Sequence, residues 1–211
     1  MNKTNSTDKH RTEATDVEEH PLEPFLPPHA RLLMLGSFPP QKKRWCMEFY
    51  YPNWINDMWR LMGFIVCGDR NAFVKPEEKT FNRERIIQFL TDYGIALYDT
   101  ASAVRRLKDN ASDKFLEVVK PTDIHLLLKQ IPECRTIVVT GEKACETICA
   151  FFGQKEIPPV GGCVELPCDY RSLKLYRMPS SSRAYPMKLE KKAEFYRLML
   201  SQTELLREIP Q

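Results

Sequence analysis

Long apolar runs are missing from this 211-residue chain, and nothing in it approaches the ~20 consecutive apolar residues that a membrane-crossing helix requires. The opening residues, MNKTNSTDKHRTEATD, lack the apolar core of a signal peptide, so a cytoplasmic location is expected. Neither the Rossmann glycine fingerprint nor the Walker phosphate loop is present, which leaves dinucleotide binding and nucleotide hydrolysis without a motif. There is no C-x-x-C pair among the seven cysteines, an odd number that points to reduced thiols. Cys145 and Cys149, four apart on a predicted helix with Cys163 and Cys168 beyond, raise a metal or iron–sulfur site. The apolar setting of Ala144, Ile148, Phe151 and Phe152 instead favours buried structural cysteines, and no metal or other cofactor is expected. Histidines number only four, at positions 10, 20, 29 and 125, so Ser37 has no sequence-adjacent base to make it a nucleophile.

What is present suffices for one core. A hydrophobic content of 43% over 211 residues supports a single domain, predicted over residues 21–211 after a polar, charged and disordered tail over 1–20. Net charge is only +3, so local clusters matter more than the total. They are Lys42, Lys43 and Arg44, then Arg105 and Arg106, then Arg183 and Lys188. A monomer is expected.

The chain is organised around Leu32 to Trp59. The unbroken run Leu32, Leu33, Met34 and Leu35 leads into Gly36, Ser37, Phe38, Pro39 and Pro40, the pattern of a buried parallel strand ending in a tight loop. Phe49, Tyr50 and Tyr51 then lead to a helix predicted from about Asn53 to Gly63, with Ile55, Met58, Trp59 and Met62 at helical spacing. Residues 64–79 read as loop. Asn82 caps a helix to Tyr93. Ile95 to Tyr98 form a second strand that delivers Asp99, Thr100 and Ser102 to its end, and residues 104–119 read as a basic segment with a weak helical piece. Pro121 to Asp123 start a further helix, Thr136 to Thr140 form the most β-branched strand, and Glu142 to Phe152 form the next helix. A short strand at Val164 to Leu166, a strand at Leu173 to Met178 and a long helix from Met187 to Glu208 complete the chain. Four strands alternating with helices imply an α/β class, a three-layer α/β/α domain on a mostly parallel four-stranded central sheet. Ligands are then expected at the carboxyl ends of the strands.

In this order the motifs resemble the uracil-DNA glycosylase superfamily, most nearly its hypoxanthine-DNA glycosylase and mismatch-specific branches, over about Leu32 to Tyr196. The shared pieces are the loop Gly36-Ser37-Phe38-Pro39, the segment Tyr51-Pro52-Asn53-Trp54-Ile55-Asn56-Asp57-Met58-Trp59, and the strand Gly94 to Asp99. A Ser-x-Asp-like element matches Ser112-Asp113, and a Pro-Ser loop matches Met178 to Ser182. Phe38 stands where the mismatch-specific and classical branches carry the Asn or Asp that orients water. Met58 replaces a Phe, and Pro40 the usual Gly. The resemblance implies a monofunctional glycosylase that hydrolyses the N-glycosidic bond of a flipped deaminated base, uracil or hypoxanthine, in DNA. Its partner is DNA carrying a damaged or mismatched base.

The catalytic candidates are Asn56, whose carboxamide suits the amide-like base edge or a water, and Asp99 at a strand end. Gly36, Ser37, Phe38 and Tyr51 are the base-binding candidates, Tyr51 by stacking and the Ser37 and Phe38 N–H groups by receiving negative charge. For DNA the candidates are Lys42, Lys43, Arg44, Ser180, Ser181, Ser182 and Arg183, with Tyr185 plugging the gap in the duplex. Phe38 also keeps open a catalytically inactive DNA- or nucleotide-binding member of the fold, and the architecture alone an unrelated hydrolase or small-molecule binder.

Overall fold

A computed structural model describes residues 16–107 and 113–205. In chain order the strands and helices are β1 (Val17–Glu19), β2 (Leu32–Gly36), α1 (Met58–Cys67), β3 (Val74–Lys75), β4 (Thr80–Phe81) and α2 (Arg83–Asp92). They continue with β5 (Ile95–Asp99), β6 (Ala101–Arg106), β7 (Leu116–Pro121), α3 (Ile124–Gln130), β8 (Thr136–Thr140), α4 (Glu142–Phe152), β9 (Cys163–Glu165), β10 (Lys174–Met178) and α5 (Leu189–Gln202).

The central sheet has the order β5-β2-β8-β10-β9, one strand more than the sequence predicts. The first four are parallel, and β9 closes the edge antiparallel to β10. β2 and β8 are buried at all five positions, which is why they read as uninterrupted apolar or β-branched runs. Alternate residues of the same strands feed two separate cores. Leu32, Met34, Leu97, Val138 and Tyr176 pack with Trp59, Ile86 and Tyr196 of α1, α2 and α5. Leu33, Leu35, Ala96, Val139 and Leu175 pack with Leu127, Leu128 and Ile148 of α3 and α4. From β2 the chain first goes to β5 on one side and then to β8 on the other, so a crevice opens at the carboxyl ends of β2 and β8.

Three predicted elements differ. The described part of residues 104–119 is mostly strand: β6 and β7 pair antiparallel, β1 joins β6 on its other edge, and the helical piece is a single 3₁₀ turn, Asp113–Phe115, ahead of β7. The helix expected from Asn53 begins only at Met58, because residues 53–57 turn instead, and Ile55 lies outside it and is half exposed. At the other end Gly63 does not stop this helix; it packs against Ala72 and Asp69, where a Cβ would meet the Asp69 carbonyl at 2.7 Å. Termination falls to Gly68, whose φ of +68° is the left-handed cap conformation. Finally, Val17–Glu19 and His20, assigned by composition to the polar tail, are ordered against the domain. Three ladder residues anchor a segment too short and polar to signal a strand. Ser112 and residues 1–15 lie outside the described residues. Among the described residues no helix is long and apolar enough to cross a membrane.

Candidate active site

Loops from the ends of four parallel strands meet in one cavity of about 130 Å³. Gly36 to Pro40 follow β2, Asp99 ends β5, Thr140 ends β8, and Ser180 to Ser182 follow β10. Tyr50 to Asn53 and Asn56 complete the wall from the segment ahead of α1, and Arg106 and Asp113 from the β6–β7 region. A volume of this order is close to the ~150 Å³ that accepts one benzene ring in an engineered core, so a single six-membered ring fits its floor.

Tyr51 is placed at a backbone cost. Its φ of +50° is left-handed, a conformation worth roughly 1–2 kcal/mol against a residue with a Cβ. Two contacts hold it there: its hydroxyl lies 3.2 Å from Thr140 Oγ1, and its ring meets Trp59 edge-on at 5.9 Å. Burial, then the nearby Asp99 carboxylate, push the phenol well above its usual range, so the hydroxyl keeps its proton.

Asn56 sits where the turn enters α1. Its Oδ1 accepts from Met58 N, two residues on, at 2.8 Å, an Asx-turn contact just ahead of the Asp57 N-cap. The carboxamide N–H₂ is then the end left for the cavity, which Asn56 lines. Its backbone also bridges to Ser182, Asp57 N donates to Ser181 O at 3.0 Å, and Arg183 donates to Asp57 Oδ1 at 3.2 and 3.1 Å. Beneath them Lys192 of α5, fully buried, donates to Asp57 Oδ2 at 3.3 Å and to Ser182 O at 2.8 Å. Burial lowers the Lys192 pKa, and Asp57 works against that shift. One aspartate thus ties the serine loop to the start of α1.

Asp99 is 6% exposed, with Oδ1 directly over Gly36. A Cβ on Gly36 would meet that oxygen at 2.4 Å, so this strand end accommodates the carboxylate only because residue 36 has no side chain. Asp113 stands on the other side of Ser37, whose hydroxyl donates to its Oδ2 at 2.8 Å. Desolvation raises the Asp113 pKa, the Ser37 bond opposes this, and Asp99 adds to it. Two carboxylates of unlike environment therefore border one cavity. Arg106, buried, donates through Nη2 to the Pro39 carbonyl at 2.7 Å and through Nε to both Glu18 oxygens at 2.9 and 3.0 Å. Phe38 is 9% exposed and packs with Ala101, Val104 and Leu116, below Arg106.

Of the residues singled out in the sequence, Gly36, Ser37, Phe38, Tyr51, Asn56, Asp99, Ser180, Ser181 and Ser182 line this cavity. Lys42, Lys43 and Arg44 do not; they form a short 3₁₀ turn beyond Pro40, with Lys42 paired to Glu48 and over the Trp45 ring. Arg183 and Tyr185 lie past the serine loop, outside the lining. Sequence reasoning missed Thr140, Asp113 as a cavity residue, the buried role of Arg106, and His20, whose Nε2 is 2.9 Å from Asp99 Oδ2. For Thr140 the signal was available, as it ends the clearest strand. For His20 there was none, because 79 residues separate it from its partner.

Cys145 and Cys149 are buried in α4, and burial raises both thiols, Cys145 to about 12. Cys163 is exposed and Cys168 partly buried. Among the described residues no group of three or more His, Cys, Asp or Glu side chains is placed to hold a metal ion.

No protein-family model matches the chain, and none of the curated proteins does. Among solved structures, the chain is similar to the solution structure of a candidate uracil DNA glycosylase from Methanosarcina acetivorans, with a TM-score of 0.60 and 21% identity. The match covers 90% of this chain and 99% of that one. This chain shares that protein's fold.

Proposed function

We propose that the protein is a monofunctional DNA glycosylase that removes a flipped deaminated base, uracil or hypoxanthine, by hydrolysis. The observation that carries this reading is that Tyr51 and Asn56 from the segment ahead of α1, Asp99 from the end of β5 and Ser180 from the loop after β10 line one base-sized cavity. The fold shared with a candidate uracil DNA glycosylase supports it. Assignment to the hypoxanthine or mismatch-specific branch rests on the motif order in the sequence.

In this reading the extruded base enters against Tyr51, where stacking contributes about 1–3 kcal/mol. The Asn56 N–H₂ donates to a base carbonyl, because the amide oxygen is already committed to Met58 N. Asp99 Oδ1 orients a water below the sugar. The water oxygen bonds to C1′ as the C1′–N bond breaks, the bonding pair leaves with the base, and the water's proton passes to the carboxylate. Ser37 and Phe38 N–H groups face the charge developing on the base. The hydroxyls and amides of Ser180, Ser181 and Ser182 hold the flanking phosphates, Arg183 and the Lys42, Lys43, Arg44 turn add charge along the duplex, and Tyr185 fills the gap. Asp99 takes over the water-orienting role that Phe38 cannot perform, which weighs against an inactive DNA-binding member.

The test is an oligonucleotide panel carrying uracil, hypoxanthine, xanthine, or thymine opposite guanine, treated with protein and then alkali. Strand cleavage at uracil or hypoxanthine is expected. No cleavage on any member, with salt-dependent DNA binding intact, would return the protein to the inactive class.

A further inference from the structure

Strand β1 reaches the cavity from behind. It pairs with β6 through three residues, and His20 just beyond it continues the pairing by donating its N–H to the Ser102 carbonyl at 2.8 Å, so Glu18 and His20, two apart, share one face and both engage cavity elements. Glu18 holds Arg106, which holds the Pro39 carbonyl of the β2 loop. His20 Nε2 lies 2.9 Å from Asp99 Oδ2, with the two side chains 2% and 9% exposed. The imidazole is fixed by Tyr98 at 4.5 Å and by Phe38, edge-on, at 5.3 Å between ring centroids. Its other nitrogen, Nδ1, has both an acceptor and a donor in reach: the Leu22 carbonyl at 2.8 Å and the Leu22 N–H at 3.2 Å. Nδ1 is therefore satisfied with or without a proton, and Nε2–H is free to donate to Asp99 in either charge state.

From this geometry we infer that His20 is a positioning residue of the proposed base-excision site, fixing Asp99 through Oδ2 so that Oδ1 is the oxygen left to orient the hydrolytic water. The inference rests on the glycosylase reading and makes β1 part of the catalytic unit. A carboxylate with one oxygen bonded to a buried imidazole and the other confined over Gly36 has a single rotamer to offer. That is the third-group logic by which a catalytic base is oriented by a neighbour that never touches substrate. Phe38 acquires a reason as well. It supplies the apolar edge that seats the imidazole.

The experiment compares single-turnover base release by the parent protein, His20→Phe and His20→Gln on the panel member that the parent cleaves fastest. His20→Phe keeps the ring between Phe38 and Tyr98 but removes the donor; release is expected to slow by about 10–100-fold, the usual effect of losing a group that orients a catalytic one. Affinity for the same DNA, measured on an uncleavable 2′-fluoro substrate analogue, is expected to stay within about twofold, since His20 is no phosphate contact. His20→Gln returns an N–H donor near the Nε2 position, and most of the rate is expected to return with it. Wild-type release by His20→Phe beside an active parent overturns the inference alone, as does a loss confined to affinity or a loss that Gln does not repair. A parent inactive on every oligonucleotide overturns the glycosylase reading instead. Should His20→Phe fail to fold, His20→Asn decides: its shorter amide cannot span to Asp99, and parental rates in that variant also overturn the inference.

Discussion

At the scale of single residues, the site depends on a few atoms with two neighbours each. Asn56 Oδ1 accepts from Met58 N in the turn ahead of α1, which leaves its N–H₂ uncommitted to that turn, so stability and activity separate by substitution. Asn56→Asp keeps an acceptor oxygen for Met58 N and is expected to melt near the parent, yet to release base at least ~10²-fold more slowly for want of the N–H donor. Asn56→Ala loses the hydrogen bond to Met58 N as well, and calorimetry is expected to show roughly 1 kcal/mol of lost stability. Gly36→Ala places a methyl 2.4 Å from Asp99 Oδ1, so the carboxylate must turn away. Base release by Gly36→Ala is expected to fall about as far as that of Asp99→Ala, and wild-type kinetics in this variant would remove Asp99 from the mechanism. Asp113 gives a pH signature. Its folded pKa lies above the ordinary value of 3.8 because burial disfavours the charged form. The folded state therefore holds the proton longer than the unfolded one, and stability is lost as pH rises through the folded pKa. Denaturant titrations of Asp113→Asn are expected to show a stability that gains on the parent's as pH rises from 3.8 towards neutrality.

At the scale of elements, the two loops that shape the cavity are joined through one buried aspartate. Lys192 on α5 and Arg183 in the loop after β10 converge on Asp57 at the start of α1. Lys192→Met removes one partner and leaves Asp57 with the half-exposed Arg183, so a loss of about 3 kcal/mol is expected in equilibrium unfolding, the low end for breaking a buried ion pair. A variant as stable as the parent would show that Arg183 alone neutralises Asp57. Elements with strong local signals were legible: the β2 and β8 runs, the Asn82 cap that accepts from Arg85 N, and the Asp123 cap that accepts from Leu126 N. The β6–β7 pair was not. Its residues read as a basic, polar segment with only a weak helical piece, whereas Arg105 pairs across the ladder with Glu117, and Arg106 is carried inward to Glu18 and Pro39. Only cross-strand partners make those side chains acceptable in a sheet.

For the whole molecule, a net charge of +3 is too small to bind DNA by itself, so affinity is expected to reside in the turn after Pro40 and the loop after β10. Binding is expected to weaken linearly in log–log salt titrations, and Arg44→Ala, an exposed residue, to lower that slope by about 0.9. An unchanged slope would place the duplex elsewhere. The sequence by itself determined the α/β class, the mostly parallel sheet and the expectation of a site at the strands' carboxyl ends, because buried parallel strands and capped helices write their periods locally. Only the tertiary structure decided that Asn56 offers its nitrogen, that Asp99 lies over Gly36, and that His20 leaves the polar N-terminal stretch to meet it. Those choices depend on atoms brought together across as many as 79 residues, where no period or spacing in the chain reaches.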